Sequence, residues 1–251
     1  MYQEERLEEI IHMLHKQRRV RVEDICEKFH ISRDTARRDL VKLSERGEIL
    51  RMHGGAMLPK KQPGRLYYTE RLEYASEEKE RIAQVAASFI HEDDSIIFDT
   101  STTVQAIPEF IDVSSFTAVT NSINAAEALS GTSATIHLLG GQLNKEQRFL
   151  YGPSVLDKLG HITADKLFMG TLGITAEGLA SYHEEDGYVK KQMIRRAGEV
   201  IVVADHTKLG KQGFYTYSSL EEVDILITDE SPSSEWEDVF KQYGITVILA
   251  S

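Results

Sequence analysis

Apolar positions recur along this chain with two periods, and the places where the period changes mark its parts. Leu7, Ile10, Ile11 and Leu14 share one face of a helix expected over residues 4–15, and an extended piece follows at 19–22. Val22, Ile25, Cys26 and Phe29 give a second, shorter helix. His30-Ile31-Ser32 reads as a tight connection in which Ser32 caps a third helix, which runs to residue 46 and ends at Gly47, since glycine takes the left-handed C-cap without steric cost. Residues 48–53 and 56–58 read as two short strands turning at Gly54-Gly55. Three helices and a hairpin predict a winged helix-turn-helix. From 59 to 75 the periodicity lapses around Lys60-Lys61-Gln62-Pro63-Gly64, which reads as a linker. Beyond it, strand-like runs at 95–98, 116–120, 135–139, 166–170, 200–204, 224–228 and 245–249 alternate with helical spacing at 77–90, 122–129, 186–196 and 234–243. Such alternation predicts an α/β domain with a mostly parallel sheet covered on both faces. The expected division is a winged helix-turn-helix domain at 1–58, a linker at 59–75 and an α/β domain at 76–251.

Composition is that of an ordinary globular chain, 41% hydrophobic and 27% charged. The apolar runs are too short to cross a bilayer and the first residues are acidic, so the expectation is a cytoplasmic protein without a membrane partner. One cysteine, Cys26, excludes an intrachain disulfide and a cysteine-rich zinc site, and reads as a small core residue. The net charge of −11 argues against nucleic acid until it is divided. Residues 1–65 carry 15 Lys and Arg against 11 Asp and Glu, a net of +4, and the remainder carries −15. A basic module on an acidic body meets DNA with one face only.

That face is the third helix. Ala36, Leu40 and Leu43 pack inward, leaving Asp34, Arg38 and Val41 outward with Arg33 and Arg37 on a flank. Arginines on the exposed half of such a helix bond guanine edges and phosphates in a major groove. Ser32, Arg33, Thr35, Arg37 and Arg38 are therefore the expected DNA contacts, joined by Arg51 and His53 on the wing. Asp39 repels phosphate, so it orients Arg37 or pairs with another base inside the domain.

In the larger domain, Asp99-Thr100-Ser101-Thr102-Thr103 leaves a predicted strand and opens a predicted helix, where backbone N–H groups and hydroxyls favour an anion. Thr120-Asn121-Ser122, Leu139-Gly140-Gly141 and Asp205-His206-Thr207-Lys208 also sit at strand ends, where open α/β sheets bind ligands. The carboxylates of Asp99, Asp165 and Asp205 suit ligand hydroxyls, and Lys208 suits a phosphate or a hydroxyl. His183-Glu184-Glu185-Asp186 reads as a solvated acidic loop and His12 with His15 as surface histidines, so neither a metal nor a cofactor is expected.

Ser32-Arg33-Asp34-Thr35-Ala36-Arg37-Arg38-Asp39-Leu40, with Arg6 and Ile10 upstream and His53-Gly54-Gly55-Ala56 downstream, resembles the signature of the DeoR family of bacterial regulators. Positions from about 76 to 228 resemble that family's sensor domain, a Rossmann-like fold similar to ribose-5-phosphate isomerase and glucosamine-6-phosphate deaminase. The matching residues include Asp99, Thr102, Thr103, Thr120, Gly140, Gly141, Gly152, Asp165, Phe168, Gly170, Gly173, Lys190, Met193, Asp205 and Lys208. Ser101 and Asp186 depart from it, standing where glycine and glutamate are usual. The resemblance implies a repressor of a carbohydrate-utilisation operon that binds operator DNA as a homodimer or homotetramer and is released by a phosphorylated sugar. The alternative is a sugar-phosphate isomerase or deaminase with Asp99 or Asp205 as general base.

Overall fold

In the computed structural model the first helix, α1 (Gln3–Gln17), buries Leu7, Ile10 and Leu14 as the periodicity requires. The structure describes residues 3–17, 19–45, 49–52, 54–57, 68–73 and 76–250. The chain divides into two units, residues 1–63 and 64–251.

In the first unit, β1 (Arg19–Arg21) leads directly into α2 (Val22–Phe29), which ends where His30 adopts a left-handed conformation at φ 52°. The reading helix α3 (Arg33–Glu45) begins at Ser32, whose Oγ accepts the Thr35 amide at 3.2 Å. The wing, β2 (Leu50–Met52) and β3 (Gly55–Met57), turns at Gly54, where φ of 83° suits glycine. It has a third strand, because β1 pairs antiparallel with β3 in the order β1-β3-β2. Leu7, Ile10, Leu14, Ile25, Ala36, Leu40 and Leu43 form one core, with Cys26 partly buried against it. Gly47, His53 and Leu58 lie outside the described residues.

The second unit opens with α4 (Tyr68–Glu73), inside the stretch expected to be an unstructured linker, and α5 (Ser76–Ala87). A first run of strands and helices follows: β4 (Ser95–Phe98), α6 (Thr102–Ala106), β5 (Thr117–Thr120), α7 (Ile123–Leu129) and β6 (Thr135–Leu138). A hairpin, β7 (Gln142–Asn144) with β8 (Phe149–Tyr151), and α8 (Pro153–Gly160) then lead to β9 (Ala164–Met169). A smaller antiparallel sheet is built from β10 (Gly173–Thr175), β11 (Gly178–Ser181) and β13 (Tyr215–Ser218), in that order. The main sheet is completed by β12 (Ala197–Val203) after α9 (Glu184–Ile194), by β14 (Ile225–Thr228), and by β15 (Thr246–Leu249) after α10 (Ser234–Tyr243).

Its seven strands are all parallel, in the order β15-β14-β12-β9-β4-β5-β6. Side chains alternate between two cores, as the pleat demands. Leu167 and Met169 of β9 join Val155, Met193 and Phe240 on the face of α8, α9 and α10, while Phe168 joins Ile82, Val104 and Leu129 on the face of α5, α6 and α7. The strand order reverses between β4 and β9, and there Phe98 and Phe168 pack with ring centroids 5.7 Å apart. A reversal of this kind leaves a crevice above the carboxyl ends of the two strands, because their connections depart in opposite directions.

Candidate functional site

The first unit presents its arginines outward. Arg33, Arg37 and Arg38 on α3 and Arg51 on β2 are exposed, and Thr35 is half-buried beside Ser32. Arg38 Nε rests 3.4 Å from the Asp34 carbonyl, while Arg33 pairs with Glu23 of α2 at 3.1 Å, both side chains well exposed. An exposed pair of that kind is worth little and opens readily to a phosphate. Asp39, fully buried one turn behind Thr35, is bonded by Arg6 Nε at 2.7 Å and by Gln3 Nε2 at 2.9 Å. Its partner is thus Arg6 of α1, one of the two roles expected from sequence, and the Asp39 charge is neutralised from the inside face of the helix.

In the second unit several of the residues expected to hold a ligand, Asp99 with the turn that follows it, Lys190, Asp205 and Lys208, lie around the β4–β9 reversal. Asp99, buried at the end of β4, accepts the Ser101 amide at 2.7 Å and the Gly170 amide, at the end of β9, at 3.1 Å. Lys190 rises from α9 to pair with the same carboxylate and donates to the Gly170 carbonyl at 2.6 Å. Burial opposes the Lys190 ammonium, but Asp99 and Asp186 outweigh it and hold its pKa above the ordinary value. The pair is a fixed, charged floor tying both sides of the reversal together. Gly170 is required there, since a Cβ on it would lie 2.2 Å from Ser101 Cβ and Oγ.

Ser101 Oγ caps α6 by accepting the Val104 amide at 3.1 Å. The amides of Thr100, Thr102 and Thr103 meet no acceptor among the described residues, and Thr102 and Thr103 are buried. Thr102 also lines a separate open groove of about 730 Å³, bordered by Leu72 and Gln105, on the flank of the same helix.

On the other side of the reversal Asp205 leaves β12, accepts the Thr207 amide at 3.0 Å and pairs with Lys208 at 3.2 Å. Burial raises the Asp205 pKa, but Lys208 and Thr207 outweigh it and leave the group below its usual range.

Five expected residues do other work. Asp165 stands at the amino end of β9, where it accepts the Ser95 amide and hydroxyl at 2.8 and 2.6 Å, so it joins β9 to β4 at the edge opposite the crevice. Thr120 closes its turn by accepting the Ser122 amide at 3.0 Å, and Asn121 donates its Nδ2 to the Leu150 carbonyl at 2.8 Å, which fastens the β7–β8 hairpin to the sheet. Gly140 and Gly141 follow β6, two strands from the reversal, and a Cβ on Gly141 would strike the Tyr151 carbonyl at 2.5 Å. The run 183–186 is the first turn of α9 and not a solvated loop, for Asp186 is buried and accepts the Ser181 hydroxyl at 2.7 Å.

Residues the sequence did not single out complete the crevice. Arg71 of α4 donates its Nη2 to Gln147 Oε1 at 3.0 Å and lies over the Tyr68 ring, and Lys79 of α5 donates to the Arg71 carbonyl. Lys211, in the loop after Asp205, has its pKa depressed by burial and then by Lys208. Burial, then Lys208, with a further contribution from Arg71, bring Lys79 down to about 8. Cations from three parts of the chain thus crowd the mouth. One signal was available beforehand: Tyr68 and Leu72 are spaced as on a helix within the supposed linker.

Two family models match the chain. A DeoR-like helix-turn-helix domain matches residues 6–62 and a DeoR C terminal sensor domain matches residues 74–230. The HTH-type transcriptional repressor GlcR of Bacillus subtilis is 47% identical over 250 residues, covering 99% of this chain and 97% of that repressor. The glycerol-3-phosphate regulon repressor of Escherichia coli is 32% identical over 99% of this chain and 100% of its own, and the lactose phosphotransferase system repressor of Streptococcus mutans is 31% identical over 91% and 93%. Ribose 5-phosphate isomerase A of Methanocaldococcus jannaschii is similar over 55% of this chain and 56% of its own, at 17% identity and a TM-score of 0.40. The three full-length relatives are repressors, and the isomerase or deaminase alternative is set aside on that ground. The chain belongs to the DeoR family, DNA-binding transcriptional regulators that join a helix-turn-helix to a C-terminal sensor domain.

Proposed function

We propose that this chain represses a carbohydrate-utilisation operon, and that a phosphorylated sugar bound at the β4–β9 reversal releases it from its operator. The observation that carries the reading is the joining of Asp99, Lys190 and Gly170 beneath a mouth rich in cations. Lys208 is placed to meet the phosphate, the free amides of Thr102 and Thr103 add donors, and Asp205 is an acceptor for sugar hydroxyls. Asp165, Thr120, Asn121, Gly140 and Gly141 act by shaping the sheet around the ligand. That a similar repressor is named for a glycerol-3-phosphate regulon supports a phosphorylated effector.

On the DNA side, Arg37 and Arg38 read base edges while Arg33 and Arg51 meet phosphates. Operators of helix-turn-helix proteins are read by pairs of such helices, so the working form is a homodimer or homotetramer. Release means that the ligand favours an arrangement of the assembly in which two reading helices no longer match their half-sites. The test is a gel-shift titration of the full chain on promoter fragments at fixed salt, with and without a series of sugar phosphates. The expected result is a shifted fragment that one sugar phosphate sets free. A chain that ignores promoter DNA at low ionic strength, or stays on it with every sugar phosphate, overturns the reading.

A further inference from the structure

An arginine withdrawn from solvent ordinarily meets a carboxylate, because an uncompensated charge in a low-dielectric setting is costly. Arg71 does not. Its one bond to another side chain is to a neutral amide, Gln147 Oε1, its Cζ lies over the Tyr68 ring 5.4 Å from the centroid, and its buried Nε has no acceptor among the described residues. No carboxylate lies within ion-pair distance of it among the described residues. Its neighbours deepen the imbalance, since Lys79 is hydrogen-bonded to its backbone carbonyl. Asp186 and Asp99 are near enough to favour its charged form, yet each is already engaged, by Ser181 and by Lys190. A planar guanidinium with an open edge, beside lysines and over an aromatic ring, matches two oxygens of a phosphate monoester.

We propose that Arg71 is a ligand of the effector's phosphate group, so that α4 is the element through which the sensor registers the bound anion. This rests on the reading that a sugar phosphate occupies the β4–β9 crevice. What it adds is a route along the chain. The first unit ends at residue 63 and α4 begins at Tyr68, so the helix that grips the phosphate opens the sensor unit next to the DNA-reading unit in sequence. Ligand binding then holds α4 against the crevice.

The test compares the full chain with Arg71→Gln, Arg71→Lys and Lys208→Gln, using inorganic phosphate, ribose 5-phosphate and glucose 6-phosphate as probes in calorimetry. Thermal unfolding of each variant reports whether it folds. Arg71→Gln should weaken binding about 10- to 100-fold, the loss expected for a charged hydrogen-bonding partner, and Arg71→Lys should restore part of it. Hydrogen exchange of residues 68–73 should slow on adding ligand to the wild type and not to Arg71→Gln. If the wild type binds and Lys208→Gln weakens it while Arg71→Gln binds normally, the role of Arg71 is refuted and the crevice reading stands. If no probe binds the wild type, both fall. Loss of sugar phosphates without loss of inorganic phosphate in Arg71→Gln also refutes it, because the contact would then be to the sugar. Should Arg71→Gln not fold, Arg71→Lys and the exchange of 68–73 decide.

Discussion

Arg38 is exposed on α3 and its Nε makes only a long contact to the Asp34 carbonyl, so nothing in the first unit competes strongly for its charge. Truncating an arginine that reads a base edge costs about 1–3 kcal/mol of specific binding. Arg38→Ala should therefore weaken operator binding by that amount at fixed salt, and an unchanged dissociation constant would remove Arg38 from the interface. Lys79 supplies a second residue-level expectation. Burial, reinforced by Lys208 and Arg71, lowers its pKa to about 8, so it is cationic below that pH and loses its charge above it. A phosphate nearby stabilises the cation. Effector binding should accordingly be tightest below pH 8, weaken as pH rises past it, and take up a proton near pH 8. Calorimetry in buffers of different ionisation enthalpy measures that uptake, and affinity flat from pH 7 to 9 would exclude Lys79 from the anion's surroundings. Sequence pattern exposed Asp99, Lys208 and the α3 arginines because each sits next to a turn or on a periodic face. Arg71 and Lys79 went unnoticed because only the tertiary structure brings α4 and α5 to the strand tips.

Among the elements, α1 and α3 are joined across the core by the buried Arg6–Asp39 pair. Asp39→Ala leaves the Arg6 charge without its partner, and breaking a buried pair in this way costs about 3 kcal/mol or more. Denaturant unfolding followed by circular dichroism should show the transition of the first unit moving to lower denaturant, and an unmoved transition would show that the pair is dispensable. At the reversal, Gly170 lets β9 end against the Ser101 turn. Gly170→Val should push that turn aside and abolish effector binding while the chain still shifts operator DNA. Normal effector binding by this variant would place the ligand elsewhere. All seven strands of the main sheet were readable in advance, since each contains a short apolar run, most fully buried in the inner strands β4, β12 and β14 and only partly so in the edge strands β6 and β15. The hairpin β7–β8 and the strands β10, β11 and β13 were missed. They are three or four residues long, and they form through pairing with one another and not through local preference. Asp165 was misplaced for a related reason: a strand's sequence shows its residues but not which of its two ends faces the ligand.

At the scale of the whole molecule, a basic reader and an acidic sensor share one chain, so attraction to DNA is confined to one unit while the other carries the excess negative charge. No helix among the described residues is long and apolar enough to cross a membrane. The order of the sheet has a kinetic consequence. Strands β4 to β6 build outward in one direction and β9 to β15 in the other, and a single hydrogen-bonded seam, β4 against β9, unites the halves. Each half can form from contacts near in sequence, whereas the seam must close a long intervening loop. A guest seated as proposed, between the Thr102–Thr103 turn on one side and Asp205 on the other, would find nothing to grip until that closure is complete. In a stopped-flow experiment following Trp236, the sole tryptophan, saturating effector should leave the refolding limb of the chevron where it was and slow the unfolding limb. Faster refolding instead would mean that half a sheet is already enough to hold the sugar. The same seam would make the cell's metabolite supply a brake on the sensor's unfolding, so that the regulator survives longest when its effector is abundant.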